Sequence, residues 1–138
     1  MRVLVDTCVW SQVLRRGFPT DGDVVRELTR LVSQGAVEMV GPIRQEILSG
    51  VKTDAQFKRL EEVLQSFPDI PIFPEDYVEA ARFYNRCRAR GVKGSGTDLL
   101  LCAIAVRECI SIFTVDQDFG RYAAILPVTL YRSQPKVG

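Results

Sequence analysis

Histidine is absent from this 138-residue chain, so any chemistry at neutral pH falls to other groups. Neither a Ser-His-Asp nor a Cys-His mechanism can be built, and no imidazole is present to ligate a metal. What the sequence does offer is carboxylates at structurally telling places. Asp6 ends the apolar run Val3-Leu4-Val5, Asp98 follows a glycine-rich loop and opens an apolar helix, and Asp116 ends the run from Ile110 to Val115. Glu46 lies in a short helical segment after a second strand-like stretch. Strand ends and helix starts that share one edge of a sheet would bring such acids together. Several carboxylates in one place repel each other, and a divalent cation is the simplest compensation. An all-oxygen ligand set favours a hard ion, magnesium or manganese, over zinc or copper. Two ions about 4 Å apart could clamp the attacking and leaving oxygens of a phosphodiester. The chemistry implied is metal-assisted hydrolysis of nucleic acid, with Asp6, Glu46, Asp98 and Asp116 as the catalytic set.

Neighbouring residues fit supporting roles. Thr7 and Thr114 adjoin the same edge, where a hydroxyl can orient a carboxylate or a water, or simply cap a helix or end a strand. Asp118 is either a fourth site acid or the cap of the helix at Phe119. Residues 82 to 93 carry Arg82, Arg86, Arg88, Arg90 and Lys93 with no acid, and Arg82, Arg86 and Arg90 recur every four residues, so they can share one helix face. Arg86, Arg90 and Lys93 lead into the loop before Asp98 and are candidates for phosphate contacts, as are Arg15, Arg16 and Arg44. A solvated helix face is the plainer alternative.

Other chemistries fail on their motifs. GVKGSG lacks the GK[ST] ending of a phosphate loop, and no GxGxxG follows a strand. Asp6-Thr7-Cys8 lacks the second acid of an aspartyl-phosphate phosphatase. Cys8, Cys87, Cys102 and Cys109 form no CxxC, so they read as small apolar fillers rather than a zinc or redox site.

The elements that must position these acids alternate along the chain. Val3 to Val5 is predicted as a central strand, and Thr7 to Leu14 as a helix capped by Thr7, with Trp10 and Leu14 buried. A helix starting at Asp21 or Asp23 buries Val24, Val25, Leu28, Leu31 and Val32. Val37 to Val40 is a second strand, Ile43 to Leu48 a short helix, and Asp54 to Ser66 a helix capped by Asp54. Residues 68 to 74 hold three prolines and read as a short strand or extended connection. Helices from Glu75 to about Arg90 and from Asp98 to Glu108 follow, the second capped by Thr97 or Ser95. Its core, Leu99 to Val106, has almost no polar face and must be buried on nearly all sides. Ile110 to Val115 is a strand, Phe119 to Ile125 a short helix, Val128 to Tyr131 a last strand and Ser133 to Gly138 a loose tail. This order implies an α/β domain, with a mostly parallel sheet between helices, spanning residues 1–132.

Composition agrees with one such domain. Apolar residues make 46% and charged residues 25%, with a net charge of +1 that announces no strongly basic nucleic-acid binder. No apolar run suits a transmembrane helix and the N-terminus is no signal peptide, so the expected location is the cytoplasm.

Four segments, taken in order, resemble the PIN-domain ribonucleases, and among them the VapC toxins of bacterial and archaeal toxin–antitoxin pairs. These are Val5-Asp6-Thr7, the Glu46 segment Arg44-Gln45-Glu46-Ile47-Leu48, Thr97-Asp98, and Thr114-Val115-Asp116-Gln117-Asp118-Phe119. Cys8 and Trp10 depart from the small or hydroxyl residue and the aliphatic residue expected beside Asp6. The resemblance implies a three-layer PIN-like fold and a magnesium- or manganese-dependent endoribonuclease acting on structured or single-stranded RNA. It also implies a homodimer and a cognate antitoxin whose tail enters the site. By position, Asp6, Asp98 and Asp116 would be metal ligands, and Glu46 would bind or orient the metal or its water. The ionised water would displace the RNA 3′ oxygen in line. An RNA-maturation nuclease that is not a toxin, and a catalytically idle binding module, are the alternatives.

Overall fold

The computed structural model describes residues 1–14 and 22–132. Arg15, Arg16, Asp21 and the tail from Ser133 lie outside them. The element order is β1 (Val3–Val5), α1 (Thr7–Leu14), α2 (Asp23–Ser33), β2 (Val37–Glu38), α3 (Gly41–Leu48), α4 (Asp54–Leu64), α5 (Pro74–Ala89), α6 (Gly96–Glu108), β3 (Ser111–Phe113) and α7 (Asp118–Ala123).

The sheet runs β2-β1-β3 and every pairing is parallel. Leu4 faces Glu38 on one side and Ile112 on the other, so β1 is the centre, with Val3, Leu4 and Val5 at 0% exposure. Single parallel bridges extend both edges, Met39 to Asp69 and Ile112 to Leu130. The expected last strand at Val128 to Tyr131 is therefore one bridge residue. It is held by Ile112 N donating to Thr129 O at 3.0 Å and Tyr131 N to Ile112 O at 2.8 Å. The extended reading of residues 68 to 74 stands, with Ile70 N bonded to Met39 O at 2.8 Å, and Pro74 already begins α5.

Buried side chains cover both faces of the sheet. α6 buries seven consecutive residues, Leu99 to Ala105, because it lies between β3 and α5. α5 and α6, joined by residues 90–95, pack side by side.

Several local expectations need correction. Thr53, not Asp54, caps α4, accepting from Gln56 N at 3.2 Å, because its side chain stands just outside the first turn. Ser95 caps α6, while Thr97 is exposed inside the helix. Val32 and Phe57 continue their helices' apolar spacing, yet both remain exposed, at 40% and 39%. Arg44 is no free cation. It bonds Asp69 Oδ1 at 2.8 Å, Leu64 O at 3.0 Å and Phe67 O, tying α3 to the segment after α4.

Candidate active site at the carboxyl edge of the sheet

The chain leaves β1 toward β2 on one side, while β3 flanks β1 on the other. The carboxyl ends of β1 and β3 therefore border a topological switch point, where open α/β sheets bind ligands. Asp6 N donates to Phe113 O at 2.9 Å, which puts Asp6 and the residues after β3 side by side.

Asp6 is 7% exposed and fully engaged. Its Oδ1 accepts from Thr7 N at 2.8 Å, and its Oδ2 from the Thr114 hydroxyl at 2.8 Å and the Cys8 thiol at 3.3 Å. Its carbonyl accepts from Val9 N at 3.1 Å and Trp10 N at 3.3 Å. Asp6 thus closes the first turn of α1, and the cap expected of Thr7 is not made. Among the described residues the buried Thr7 Oγ1 has no partner. Thr114 bridges two acids, since its Oγ1 also accepts from Asp116 N at 3.0 Å.

Asp98 reaches this edge by another route. α6 runs back along β3, so its first turn lies where β3 ends. Ser95 Oγ fixes the turn by accepting from Asp98 N at 3.0 Å, and the Tyr122 hydroxyl donates to Asp98 Oδ2 at 3.0 Å. Burial pushes the Asp98 carboxyl above its ordinary range. The charges of Asp6 and Asp116 add to this, while the Tyr122 and Ser95 hydroxyls oppose it. Three acids from separate elements therefore share one electrostatic neighbourhood.

The other candidates are placed as follows. Asp116 is exposed, and its Oδ1 accepts from Asp118 N at 2.9 Å. Asp118 opens α7, and its carboxylate pairs with Arg121 at 3.0 Å. Glu46 is exposed on α3 and is not among the charges acting on Asp98. Arg90 and Lys93 are exposed on the approach to Ser95. Arg86 lies 5.6 Å over the Phe83 ring and lines a groove with Ala103, Val106 and Arg107, beside the second half of α6 rather than its start. Arg82 pairs with Glu79 at 3.6 Å, which weakens the basic stripe expected here.

Cys8, expected as an apolar filler, is instead hydrogen-bonded to Asp6 and to the Val115 amide, and Tyr122 escaped the reading of the sequence. The Cys8 thiol is raised by burial and by Asp6, and opposed by Thr114 and the Val115 amide, so it stays protonated and donates. Tyr122 is likewise raised, by burial first and then by Asp98, which keeps its hydroxyl a donor. Buried tyrosines need a partner for the hydroxyl, and that was the available signal.

The family model described as PIN domain matches residues 3–125. The chain is a member of the PIN-domain family. This PIN domain is 32% identical over 127 residues to the VapC ribonuclease Mb1587 of Mycobacterium bovis, covering 89% of the chain and 92% of that protein. The same figures hold for ribonuclease VapC11 of Mycobacterium tuberculosis. Its fold is similar to that of FitAcB from Neisseria gonorrhoeae, with a TM-score of 0.75 at 19% identity over 94% of this chain and 96% of that one. It is also similar to VapBC2 from Rickettsia felis, solved bound to a DNA fragment from their promoter, with a TM-score of 0.76 at 14% identity over 97% and 100%.

Do the site's residues suit a divalent cation? Among the described residues no three acids stand close enough to cage one ion. The donor set is nonetheless all oxygen and anionic. Magnesium commonly keeps several waters and takes one or two carboxylates plus substrate phosphate rather than a dedicated protein cage. The arrangement suits a hydrated hard cation of that kind.

Proposed function

We propose that this PIN domain is a divalent-metal-dependent endoribonuclease, the toxin component of a VapBC-type toxin–antitoxin pair acting in the cytoplasm. One observation carries the reading. Asp6, Asp98 and Asp116, delivered by the ends of β1, α6 and β3, face one edge, where the Thr114 hydroxyl links Asp6 to the Asp116 backbone and the charges of Asp6 and Asp116 add to the upward shift of the Asp98 carboxyl. Its relatives Mb1587 and VapC11 are named ribonucleases, which supports RNA as the substrate.

A bound divalent cation, magnesium or manganese, would supply Lewis-acid chemistry and activate water near neutral pH. Asp6, Asp98 and Asp116 would hold it. Thr114 holds Asp6 and the Asp116 backbone in register. Thr7 orients Asp6 Oδ1 through its backbone amide, and Asp118 sets the Asp116 turn through its own amide. Glu46, exposed on α3, would have to swing toward this edge to orient the water. Arg90 and Lys93 take RNA phosphates along the approach to α6, and Arg86, beside the second half of α6, would extend that contact further from the acids. Hydrolysis would form a bond from water oxygen to phosphorus and break the bond from phosphorus to the 3′ oxygen, which would leave with a proton from that water. A cognate antitoxin silences the site and the chain works as a homodimer; the solved VapBC2 pair supports the antitoxin partner.

The test is brief induction in cells, followed by sequencing of the new RNA ends. Discrete ends should appear with the wild type, vanish with Asp6→Asn or Asp98→Asn, and vanish in vitro in excess chelator. Full cleavage by both variants would overturn the mechanism. Growth arrest relieved by a small partner gene beside this one separates a toxin from an RNA-maturation enzyme. Absence of Mn2+ binding at millimolar ion would favour an idle module.

A further inference from the structure

We propose that Tyr122 is a positioning residue, whose hydroxyl holds the Asp98 carboxylate toward Asp6 and Asp116, and that Gly94 leaves the space its ring needs. The proposal rests on the nuclease reading above.

Asp98 is half-buried at the start of a helix. Ser95 Oγ fixes its backbone, but an aspartate side chain keeps its own torsions. Like charge from Asp6 and Asp116 would turn the free carboxylate outward to water. The Tyr122 hydroxyl opposes this with a 3.0 Å bond to Oδ2. A lysine or arginine could make the same bond, but its charge would cancel the field that draws in a cation. A neutral hydroxyl orients the carboxylate and leaves its charge intact.

The hydroxyl is itself held in place. Tyr122 is 1% exposed, its ring meets Phe119 edge-on at 5.2 Å, and the Ser95 amide bonds its oxygen. Gly94 closes the fourth side. A Cβ there would lie 3.2 Å from Tyr122 Cε1 and 2.2 Å from Cδ2 of the buried Leu99, the residue after Asp98. Any larger residue at 94 must move Leu99, and the Tyr122 ring with it. The glycine-rich loop before Asp98 thus has one position set by close approach.

The experiment compares wild type, Tyr122→Phe, Gly94→Ala and Asp98→Asn as full chains. Mn2+ alone is the probe in calorimetry, and cleavage is read on an RNA oligonucleotide spanning the mapped site. Tyr122→Phe should weaken Mn2+ binding by about ten- to a hundredfold, lower kcat by a similar factor and leave KM for RNA unchanged. Gly94→Ala should do the same in the same direction, so the proposal stays testable if either variant misfolds. Wild-type Mn2+ affinity and kcat in a folded variant would overturn the positioning role, as would a change confined to KM. If wild type binds no Mn2+, or Asp98→Asn cleaves fully, the nuclease reading falls and this proposal with it. If wild type binds, Asp98→Asn is inactive and Tyr122→Phe is unchanged, the positioning role alone falls.

Discussion

Asp98 carries a cost that the metal-free protein must bear. Its folded carboxyl lies above the ordinary range because it is buried and faces Asp6 and Asp116. Stability from this group is fully present below the unfolded carboxylate value and is lost as pH rises through the higher folded value. Asp98→Asn should therefore raise Tm at pH 7 in chelator while abolishing Mn2+-dependent cleavage; a lower Tm in chelator would contradict the electrostatic account. Thr114 acts differently, as a neutral clamp between Asp6 Oδ2 and Asp116 N. Thr114→Val keeps the shape and deletes both bonds together with the 3.4 Å contact to the Cys8 thiol. It should destabilise by about 1–2 kcal/mol in urea unfolding and lower the cleavage rate by about ten- to a hundredfold. The acids themselves were readable because strand ends and helix starts are local features. Of their hydrogen-bonding neighbours Thr114 was readable, two residues before Asp116, and its hydroxyl does orient Asp6; the bonds of Cys8 and Tyr122 were not, since only packing makes them meet these acids.

Element ends hold two further tests. α6 stops at Cys109, whose φ of 57° puts a side-chain-bearing residue in the left-handed region. Glycine enters that region without the Cβ penalty. Cys109→Gly should raise stability by about 0.5–1 kcal/mol, measured as a higher urea midpoint at constant slope. The first turn of α5 holds Asp76, 3% exposed, which accepts from Arg107 Nε at 2.8 Å and Phe73 N at 2.9 Å. Burial alone would raise this carboxyl. Arg107 and the Phe73 amide outweigh it and hold the group below its ordinary value. Here the sign reverses: the stability is present above the unfolded carboxylate value and lost as pH falls through the lower folded one. Asp76→Asn should cost about 3 kcal/mol at pH 7 and flatten the acid limb of the stability curve; an unchanged limb would refute the assignment. The stretch from Leu99 to Val106 made a buried helix plain from composition. Asp76 did not announce itself, because an acid in a first turn is ordinary until a partner 31 residues away covers it.

At the scale of the molecule, α6 is the pillar between the sheet and α5. Leu101→Ala, at 1% exposure in that layer, should cost about 2–5 kcal/mol, and urea unfolding should show one cooperative transition shifted as a whole. By itself the sequence determined the α/β order, the central β1, the buried α6 and the family. Apolar periodicity, breakers and acids at element ends are all encoded within a few neighbouring residues. It left open how far the outer strands pair, which cations are free and what holds each acid. The last strand shrank to one bridge at Leu130, and Arg44 was absorbed by Asp69 and two carbonyls. Edge pairing and side-chain partners depend on residues far apart in the chain, so only the tertiary structure could decide them.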